Sequence, residues 1–335
     1  MGKILLTGGT GYIGSHTAVE LIRQGYTVEI LDNLVNSKIG VLGAIEQITG
    51  VRPRFYRVDL TDGPAVDRVM ARGEYDTVIH FAGLKAVAES VEQPLDYYRV
   101  NIGGTVNLLE SMARHGVRKL VFSSSATVYG NQSGVGLDET AKVGEGITNP
   151  YGRTKYMIEE ILRDFAVAEP DFQITCLRYF NPVGAHESGL IGEDPVGRPN
   201  NLMPMILKVA SGELPELMVY GDDYDTPDGT GMRDFIHVVD LARGHVAAIR
   251  KMRPGVSVYN LGTGKATSVM EMTRMFTKVS GRQLPMRIVG RRTGDLACVY
   301  ADASKAEREL GWKTELSVED AMRDAWNYLR KQRKI

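Results

Sequence analysis

Residues 3–14 read KILLTGGTGYIG, in which a short apolar run is followed by Gly8, Gly11 and Gly14 at three-residue intervals. This pattern is typical of a strand that turns sharply into a helix. With no side chains on the turn, backbone N–H groups at the helix N-terminus are open to an anion such as the pyrophosphate of a dinucleotide. The glycine spacing alone also fits a tight turn that binds nothing, so the prediction of binding needs support from the rest of the chain.

Downstream of this turn, β-type runs alternate with helix-type stretches. Such alternation predicts a parallel sheet covered by helices on both faces, a doubly wound, Rossmann-like α/β fold. The predicted strands are 3–7, 27–32, 54–59, 76–83, 119–125 and 173–179, and the predicted helices are 12–24, 38–49, 63–72, 93–114 and 151–168.

The pattern changes after residue 180, where Gly/Pro/Asn-rich loops separate shorter elements. We therefore expect a dinucleotide-binding domain over 1–180 and a smaller α/β substrate lobe over 181–335, with part of 233–262 returning to the first domain. Loops as long as PVGAHESGLIGEDPVGRPNN (182–201) are usually functional. Two helix starts are marked by capping sequences, Ser268-x-x-Glu271 and Ser317-x-x-Asp320.

Composition excludes several classes of protein. The chain has 335 residues, of which 43% are hydrophobic and 24% charged, and its net charge is -1. There is no basic tract for nucleic acid, no apolar run that spans a membrane and no signal-like start. The two cysteines and six histidines show no metal-ligand spacing, so we expect no metal and reduced thiols in the cytoplasm.

Two carboxylates indicate which dinucleotide the turn binds. Asp32 ends the second predicted strand, close to where an acidic side chain accepts hydrogen bonds from an adenosine ribose. Because its charge would repel a 2′-phosphate, NAD is favoured over NADP. Asp59 ends the third strand, where a contact to adenine or a simple solvated position are about equally plausible.

A tyrosine and a lysine one helical turn apart suggest catalysis. The segment NPYGRTK places Tyr151 and Lys155 on one helix face, and Ser125 ends the predicted strand KLVFSSS. A tyrosine with a pKa of about 10 needs a positive neighbour to act as a base at neutral pH, and Lys155 together with NAD+ could supply it. An exposed helical pair is the alternative interpretation of this spacing.

The strand-end serine, the tyrosine and the lysine behind a glycine-rich turn resemble the extended short-chain dehydrogenase/reductase superfamily. Its dehydratases carry an acidic pair after the serine, whereas Ala126 stands here, which disfavours dehydration. Further segments resemble the UDP-glucose 4-epimerases, almost from end to end. They are TGGTGYIGSHT, LDNLVNSK, HFAGLKAVAES, FSSSATVYG, NPYGRTK, RYFNPVGAH, NNLMP, GTGMRDFIHVVDLA, YNLGTG and RRTGD.

This resemblance implies a mechanism. Tyr151 would take the proton of the sugar 4-hydroxyl while NAD+ accepts the C4 hydride, and the resulting 4-keto sugar would turn over and take the hydride back on its other face. Ser125 would hydrogen-bond the reacting oxygen, and the cofactor would stay bound. Many bacterial members carry asparagine at the position of Val100, so the neighbouring Asn101 is expected to replace that contact.

The resemblance also implies two sets of binding residues and a homodimer formed through the helices near 93–114 and 151–168. The cofactor set comprises Gly8, Gly11, Tyr12, Ile13, Gly14, Asp32, Asn33, Asn36, Ser37, Asp59, Leu60, Phe81, Ala82, Gly83, Lys85, Asn101, Tyr151, Lys155 and Phe180. The UDP-sugar set comprises Lys85, Ser125, Thr127, Tyr179, Asn181, Asn201, Leu202, Tyr220, Arg233, Arg292, Asp295 and Val299.

In this family the position of Val299 borders the sugar, and a tyrosine there excludes N-acetylated sugars, so activity on UDP-N-acetylhexosamines is a further hypothesis. If Cys298 or Tyr300 faces the sugar instead, Val299 is only a strand residue. Two alternatives to an epimerase remain: a sugar-nucleotide oxidoreductase that releases NADH, and a non-catalytic NAD sensor. The sensor needs no activated tyrosine, so the set Ser125, Tyr151 and Lys155 counts against it.

Overall fold

The computed structural model describes residues 2–195, 201–292 and 294–334. The strands are β1 (Lys3–Thr7), β2 (Thr27–Asp32), β3 (Arg54–Arg57), β4 (Thr77–His80), β5 (Lys119–Ser125), β6 (Gly136–Leu137), β7 (Gln173–Tyr179), β8 (Asn181–Val183), β9 (Leu217–Tyr220), β10 (Met232–Arg233), β11 (Phe235–His237), β12 (Gly255–Leu261), β13 (Thr267–Ser268), β14 (Met286–Val289) and β15 (Cys298–Ala301). The helices are α1 (Tyr12–Arg23), α2 (Val41–Thr49), α3 (Gly63–Gly73), α4 (Val87–Glu92), α5 (Pro94–Tyr97), α6 (Gly104–Arg114), α7 (Pro150–Ala168), α8 (Leu202–Ala210), α9 (Val238–Arg250), α10 (Val269–Ser280), α11 (Ser304–Leu310) and α12 (Val318–Arg333).

Seven parallel strands form the central sheet, in the order β12-β7-β5-β4-β1-β2-β3. Apolar side chains of α1 and α2 pack on one face, and those of α3, α6 and α7 pack on the other. The strand order reverses between β1 and β4, and ligands of such sheets bind outside the carboxyl ends of the strands at this point. The predicted doubly wound α/β fold is confirmed.

The chain after residue 181 contributes to both parts of the molecule. Strand β12 pairs with β7 at the edge of the central sheet, and α9 packs against α1. A separate core, which includes Phe276 and Trp326, lies between α8, α10 and α12. A four-stranded sheet in the order β13-β10-β15-β6 joins this lobe to the residues that follow β5.

Both predicted capping sequences begin helices. The Ser268 hydroxyl accepts a hydrogen bond from the Glu271 N–H (3.0 Å), and the Glu271 carboxylate accepts one from the Ser268 N–H (2.7 Å). Ser317 and Asp320 make the same exchange at α12. No helix in the described part of the chain combines the length and apolar character needed to cross a bilayer.

The predicted helix over 93–114 is interrupted. Between α5 and α6 the chain forms a π-helical turn from Tyr98 to Gly103, and such turns occur frequently at functional sites. The strands predicted over 54–59 and 76–83 end early, at Arg57 and His80, because the chain leaves the sheet there to line a cleft.

Candidate active site

A cleft of about 660 Å³ opens at the carboxyl ends of β1, β2 and β4, where the strand order reverses. Nearly all of the predicted cofactor residues line this cleft. Those in its lining are Gly8, Gly11, Tyr12, Ile13, Gly14, Asp32, Asn33, Asn36, Ser37, Asp59, Leu60, Phe81, Ala82, Gly83, Lys85, Tyr151 and Lys155, together with Tyr179 from the predicted substrate set.

The glycine turn has the geometry that a bound pyrophosphate requires. Gly8 has a φ of +71°, and a Cβ there would lie 2.6 Å from the Ala82 nitrogen. A Cβ on Gly14 would lie 2.5 Å from the Gly8 carbonyl oxygen. No side chain caps α1 at Gly11, so the first N–H groups of the helix are available to an anion. The turn therefore fits the dinucleotide predicted from its glycines.

Asp32 and Asp59 lie at the adenosine end of the cleft. The buried Asp32 carboxylate accepts hydrogen bonds from the Leu34 N–H (2.8 Å) and the Ser37 hydroxyl (3.2 Å), which hold it in place. Burial raises the pKa of Asp59, but hydrogen bonds from Thr61 and Asn33 outweigh it, and the net pKa lies below the usual value. Asp59 is therefore a carboxylate at neutral pH.

Ser125 ends β5 and lies beside Tyr179, its register partner in β7. The Ser125 Oγ accepts hydrogen bonds from the Thr127 N–H (3.2 Å) and the Thr127 hydroxyl (3.0 Å). Because these contacts use the oxygen as an acceptor, the Ser125 O–H is left as a donor, and it is hydrogen-bonded to Tyr151. Predicted residue Thr127 thus orients the serine.

Helix α7 carries Tyr151 and Lys155. The Asn149 side chain caps it by accepting the Gly152 N–H (2.8 Å), and Pro150 occupies the first helical position. Tyr151 is therefore in the first turn and Lys155 one turn later, and both line the cleft.

The Lys155 ammonium is hydrogen-bonded to the end of β5. It donates to the Ser123 carbonyl oxygen (2.7 Å) and lies 4.8 Å from the Phe122 ring centroid and 5.9 Å from that of Tyr151. The side chain is almost fully buried, and burial lowers its pKa to about 7. Ser123 and Phe122 were not predicted to take part in the site.

Lys155 does not by itself make Tyr151 a base. Burial raises the pKa of Tyr151, and its hydrogen bond with Ser125 lowers it only in part. Lys155 does not contribute to this shift, so the joint effect expected of Lys155 and NAD+ on the pKa of Tyr151 stays a prediction. The further positive charge needed would have to come from a cationic group in the cleft, such as a nicotinamide ring.

Two predicted cofactor residues are absent from the cleft lining. The buried Asn101 amide accepts the Leu84 N–H (2.7 Å) and donates to the Thr154 hydroxyl (3.0 Å), and Val100 occupies the lining instead. Phe180 packs in an apolar cluster with Val128. Asn101 therefore fixes the loop after β4, and the structure does not support the contact predicted for it.

The second lobe brings together four predicted substrate residues. The Asp295 carboxylate contacts both Arg233 (3.2 Å) and Arg292 (3.0 Å), and the Arg292 guanidinium lies 4.5 Å from the Tyr220 ring centroid. Nearby, the buried Tyr224 hydroxyl has no hydrogen-bond partner among the described residues. Paired guanidinium groups with an adjacent aromatic ring suit the diphosphate and base of a nucleotide.

The remaining predicted substrate residues are more scattered. Asn181 is exposed, and its N–H donates to the Asp234 carbonyl oxygen (2.9 Å). The Leu202 side chain packs against the core of the second lobe. Asn201, just before α8, donates to the Glu193 carboxylate (3.1 Å).

Val299 and Tyr300 face opposite sides of β15. Val299 packs against the apolar cluster that includes Val128 and Phe180. It is also the register partner of Arg233. Tyr300 lines a separate cavity and contacts Gly136. The two side chains therefore have different surroundings, and Val299, not Tyr300, lies beside the residues that follow β5 and β7.

The segment 184–195 closes one side of the cleft, and sequence reasoning identified it only as a long loop. Asp194 forms an ion pair with Lys38, and the buried Glu193 carboxylate lies 3.8 Å from the Lys85 ammonium. Burial raises the pKa of Glu193, while Lys85 and Asn201 act in the opposite direction. Glu193 thus connects a predicted cofactor residue to a predicted substrate residue. The predicted loop continues into 196–200, which lies outside the described residues.

Within residues 2–195, 201–292 and 294–334, no group of three or more His, Cys, Asp or Glu side chains is placed to hold a metal ion.

Comparison with known proteins agrees with the set of residues that line the cleft. Residues 4–262 match the model of the NAD dependent epimerase/dehydratase family. The chain is 54% identical over 331 residues to the UDP-glucose 4-epimerase of Bacillus subtilis (strain 168), covering 97% of this chain and 96% of that protein.

Solved structures are similar over the whole chain. The UDP-glucose 4-epimerase of Stenotrophomonas maltophila, with bound NAD and formylated UDP-arabinopyranose, superposes with a TM-score of 0.96 at 50% identity, covering 100% of this chain and 99% of that one. The Bifidobacterium longum UDP-glucose 4-epimerase, in complex with NAD+ and UDP, gives 0.95 at 53% identity and 99% coverage of both chains.

Proposed function

The chain belongs to the NAD dependent epimerase/dehydratase family, and from this membership we propose that it interconverts UDP-glucose and UDP-galactose with a tightly bound NAD. The observation that carries the proposal is the position of Tyr151 and Lys155, which line the same cleft as the glycine turn. This arrangement puts a proton acceptor beside a dinucleotide. An NAD sensor has no need of it.

Each catalytic residue has a role that follows from its contacts. Tyr151 removes the proton of the sugar 4-hydroxyl and later returns it. Ser125, whose oxygen accepts from Thr127 and whose O–H is hydrogen-bonded to Tyr151, would redirect that O–H to the same sugar oxygen. The Lys155 ammonium, which donates to the Ser123 carbonyl oxygen, is a hydrogen-bond donor in the lining of the cleft. When bound, NAD supplies the hydride acceptor and donor.

The nucleotide half of the substrate fits the second lobe. We assign the diphosphate to Arg233 and Arg292, with Asp295 released from their ion pairs to contact the ribose. Tyr220 offers a ring face near the uracil. Arg233 on β10 pairs with Val299 on β15, so we place the sugar end of the substrate on the Val299 side of the diphosphate.

The test is direct. Purified protein is incubated with UDP-galactose without added cofactor, and the nucleotide sugars are separated. The proposal expects UDP-glucose to form, no stoichiometric free NADH to accumulate, and NAD to be released when the protein is denatured. Steady accumulation of NADH would identify a net oxidoreductase instead. Bound NAD without any epimerised product would contradict the proposal.

The sugar pocket supports a wider substrate range. Val299 packs with Val128 and Phe180, whereas Tyr300 lines a separate cavity, and valine leaves space beside a 2-acetamido group that a phenol ring would fill. We therefore propose additional activity on UDP-N-acetylglucosamine and UDP-N-acetylgalactosamine.

A homodimer and a cytoplasmic location complete the proposal. Apolar side chains on the helices from α4 to α7 are exposed, including Leu95 at 71% and Val167 at 81%, and a second copy would cover them. Sedimentation of wild type and Leu95→Glu tests this interface, and a variant that remains dimeric would exclude it.

Both cysteines are free thiols, which fits a reducing compartment. Residues 1–180 with α9 and β12 are assigned to the cofactor domain, and the rest of 181–335 to the substrate lobe.

A further inference from the structure

His245 is a fully buried histidine behind the cleft, with no role in the proposed chemistry. It lies on α9, and its Nε2 is hydrogen-bonded to the Tyr179 hydroxyl. Its ring also packs against Phe81, with the ring centroids 4.9 Å apart. Phe81 and Tyr179 both line the cleft, so one hidden ring supports two side chains of the site.

The second nitrogen determines the direction of the bond to Tyr179. Nδ1 lies 2.8 Å from the Leu241 carbonyl oxygen, which can only accept, so Nδ1 carries the proton. Burial lowers the pKa of His245 to about 4, so the ring is neutral and Nε2 is an acceptor. The Tyr179 O–H must therefore donate to His245.

Tyr179 lies in the cleft lining, next to the proposed catalytic residue Ser125. It ends β7 in register with Ser125. Burial, together with nearby Tyr151, raises the pKa of Tyr179 well above the usual value, so its hydroxyl keeps its proton. Because the Tyr179 O–H donates its hydrogen bond to His245, the Tyr179 oxygen can act toward the cleft only as a hydrogen-bond acceptor.

We infer that His245 is a positioning residue that makes Tyr179 a hydrogen-bond acceptor toward the cleft. The inference rests on the proposed function. The complementary group is an N–H or O–H donor, such as the amide of a nicotinamide or a hydroxyl of the sugar. A phenol free to rotate could instead donate into the cleft, so fixing its proton selects one orientation of the bound donor.

A double-mutant cycle tests this role on the holoenzyme. His245→Phe keeps a ring against Phe81 but removes the acceptor, and should lower kcat about 5–20-fold with a smaller change in KM, the loss typical of one misdirected hydrogen bond. Tyr179→Phe should lower kcat by a similar factor. In the Tyr179→Phe background, the added His245→Phe should change kcat by less than about twofold, because its target is gone.

His245→Gln provides the conservative comparison. The Gln side-chain oxygen can accept the Tyr179 O–H, so this variant should retain more activity than His245→Phe. It also allows the cycle to be completed if His245→Phe does not fold. NAD content after denaturation and the thermal unfolding midpoint are recorded for every variant.

The outcomes separate the alternatives. Equal kcat losses from the His245 substitution in both backgrounds would show that His245 acts independently of Tyr179, and would overturn the inference. A Tyr179→Phe enzyme with wild-type kcat would overturn it as well. Failure of the proposed function would appear earlier, as a wild-type enzyme that does not epimerise UDP-galactose.

Discussion

Replacing Lys155 with methionine should stabilise the fold while removing activity. Lys155 is 6% exposed and its ammonium has no carboxylate partner in the described part of the chain, and burial lowers its pKa from the ordinary 10.5 to about 7. One pKa unit corresponds to about 1.4 kcal/mol, so this burial costs roughly 5 kcal/mol at most. Loss of the bond to the Ser123 carbonyl offsets about 1–2 kcal/mol of that. The net expected gain of Lys155→Met is about 2–4 kcal/mol.

The pH dependence of the stability difference shows whether burial of the Lys155 charge is its cause. Between pH 7 and 10.5 the unfolded chain binds a proton at Lys155 that the folded chain does not, so wild-type stability rises with pH across this window. The destabilisation of the wild-type fold by the buried Lys155 charge is complete below pH 7 and absent above pH 10.5. The advantage of Lys155→Met should therefore be largest at pH 6–7 and disappear toward pH 10.5.

The assay is thermal unfolding of both proteins after removal of NAD. Unfolding entropy is about 2.1 cal/mol/K per residue, or roughly 0.7 kcal/mol/K for this chain, so the expected increase in Tm at pH 7 is about 3–6 °C. Lys251→Met, at an exposed position, is the matched control and should not change Tm. A Lys155→Met protein that is less stable at pH 7, or whose Tm difference is independent of pH, would refute the reasoning.

Three further substitutions test the roles assigned to the cleft. Tyr151→Phe removes the proton acceptor and should lower kcat by roughly 10²–10⁴-fold with the fold intact, and a near-native rate would mean that another group is the base. Asp32→Ala should weaken discrimination against NADP, measured as NAD and NADP affinities of the depleted protein; an unchanged preference contradicts the role of Asp32. Glu193→Gln loses the charge beside Lys85 and should raise KM more than it lowers kcat, whereas Glu187→Gln, at an exposed position in the same segment, should change neither; equal effects would exclude Glu193.

The parts predicted correctly from sequence depend on local physical rules. The turn at Gly8 and Gly14 leaves no room for a Cβ, and this close packing is visible as a glycine spacing. The caps at Ser268 and Ser317 need only residues three positions apart. Tyr151 and Lys155 share a helix face by periodicity alone. Each of these features is encoded within a few residues, so one sequence is enough to read it.

Features that depend on distant partners could not be predicted. Arg178 and Glu159 form a fully buried ion pair (2.7 Å) that fixes α7 against β7, yet each looks like an ordinary surface charge in the sequence. The same holds for Asn101, whose amide is used by Leu84 and Thr154 across the π-helical turn. In both cases the partner is supplied by the tertiary fold, and a charged or amide residue carries no local sign of it.

Val299 shows how a single structural fact can turn a sequence hypothesis into a quantitative prediction. Sequence left open whether Val299 or Tyr300 faces the sugar, and these residues have opposite orientations in β15. Because Val299 packs with Val128 and Phe180, a tyrosine placed there would add a ring on the side of β15 proposed to border the sugar. Forcing an acetamido group against that ring costs about 1–3 kcal/mol, so Val299→Tyr should lower kcat/KM for the N-acetylated pair by about 5–150-fold. UDP-galactose, with only a hydroxyl at C2, should lose less than about threefold, and an equal loss for both pairs would mean that Val299 does not control access to the pocket.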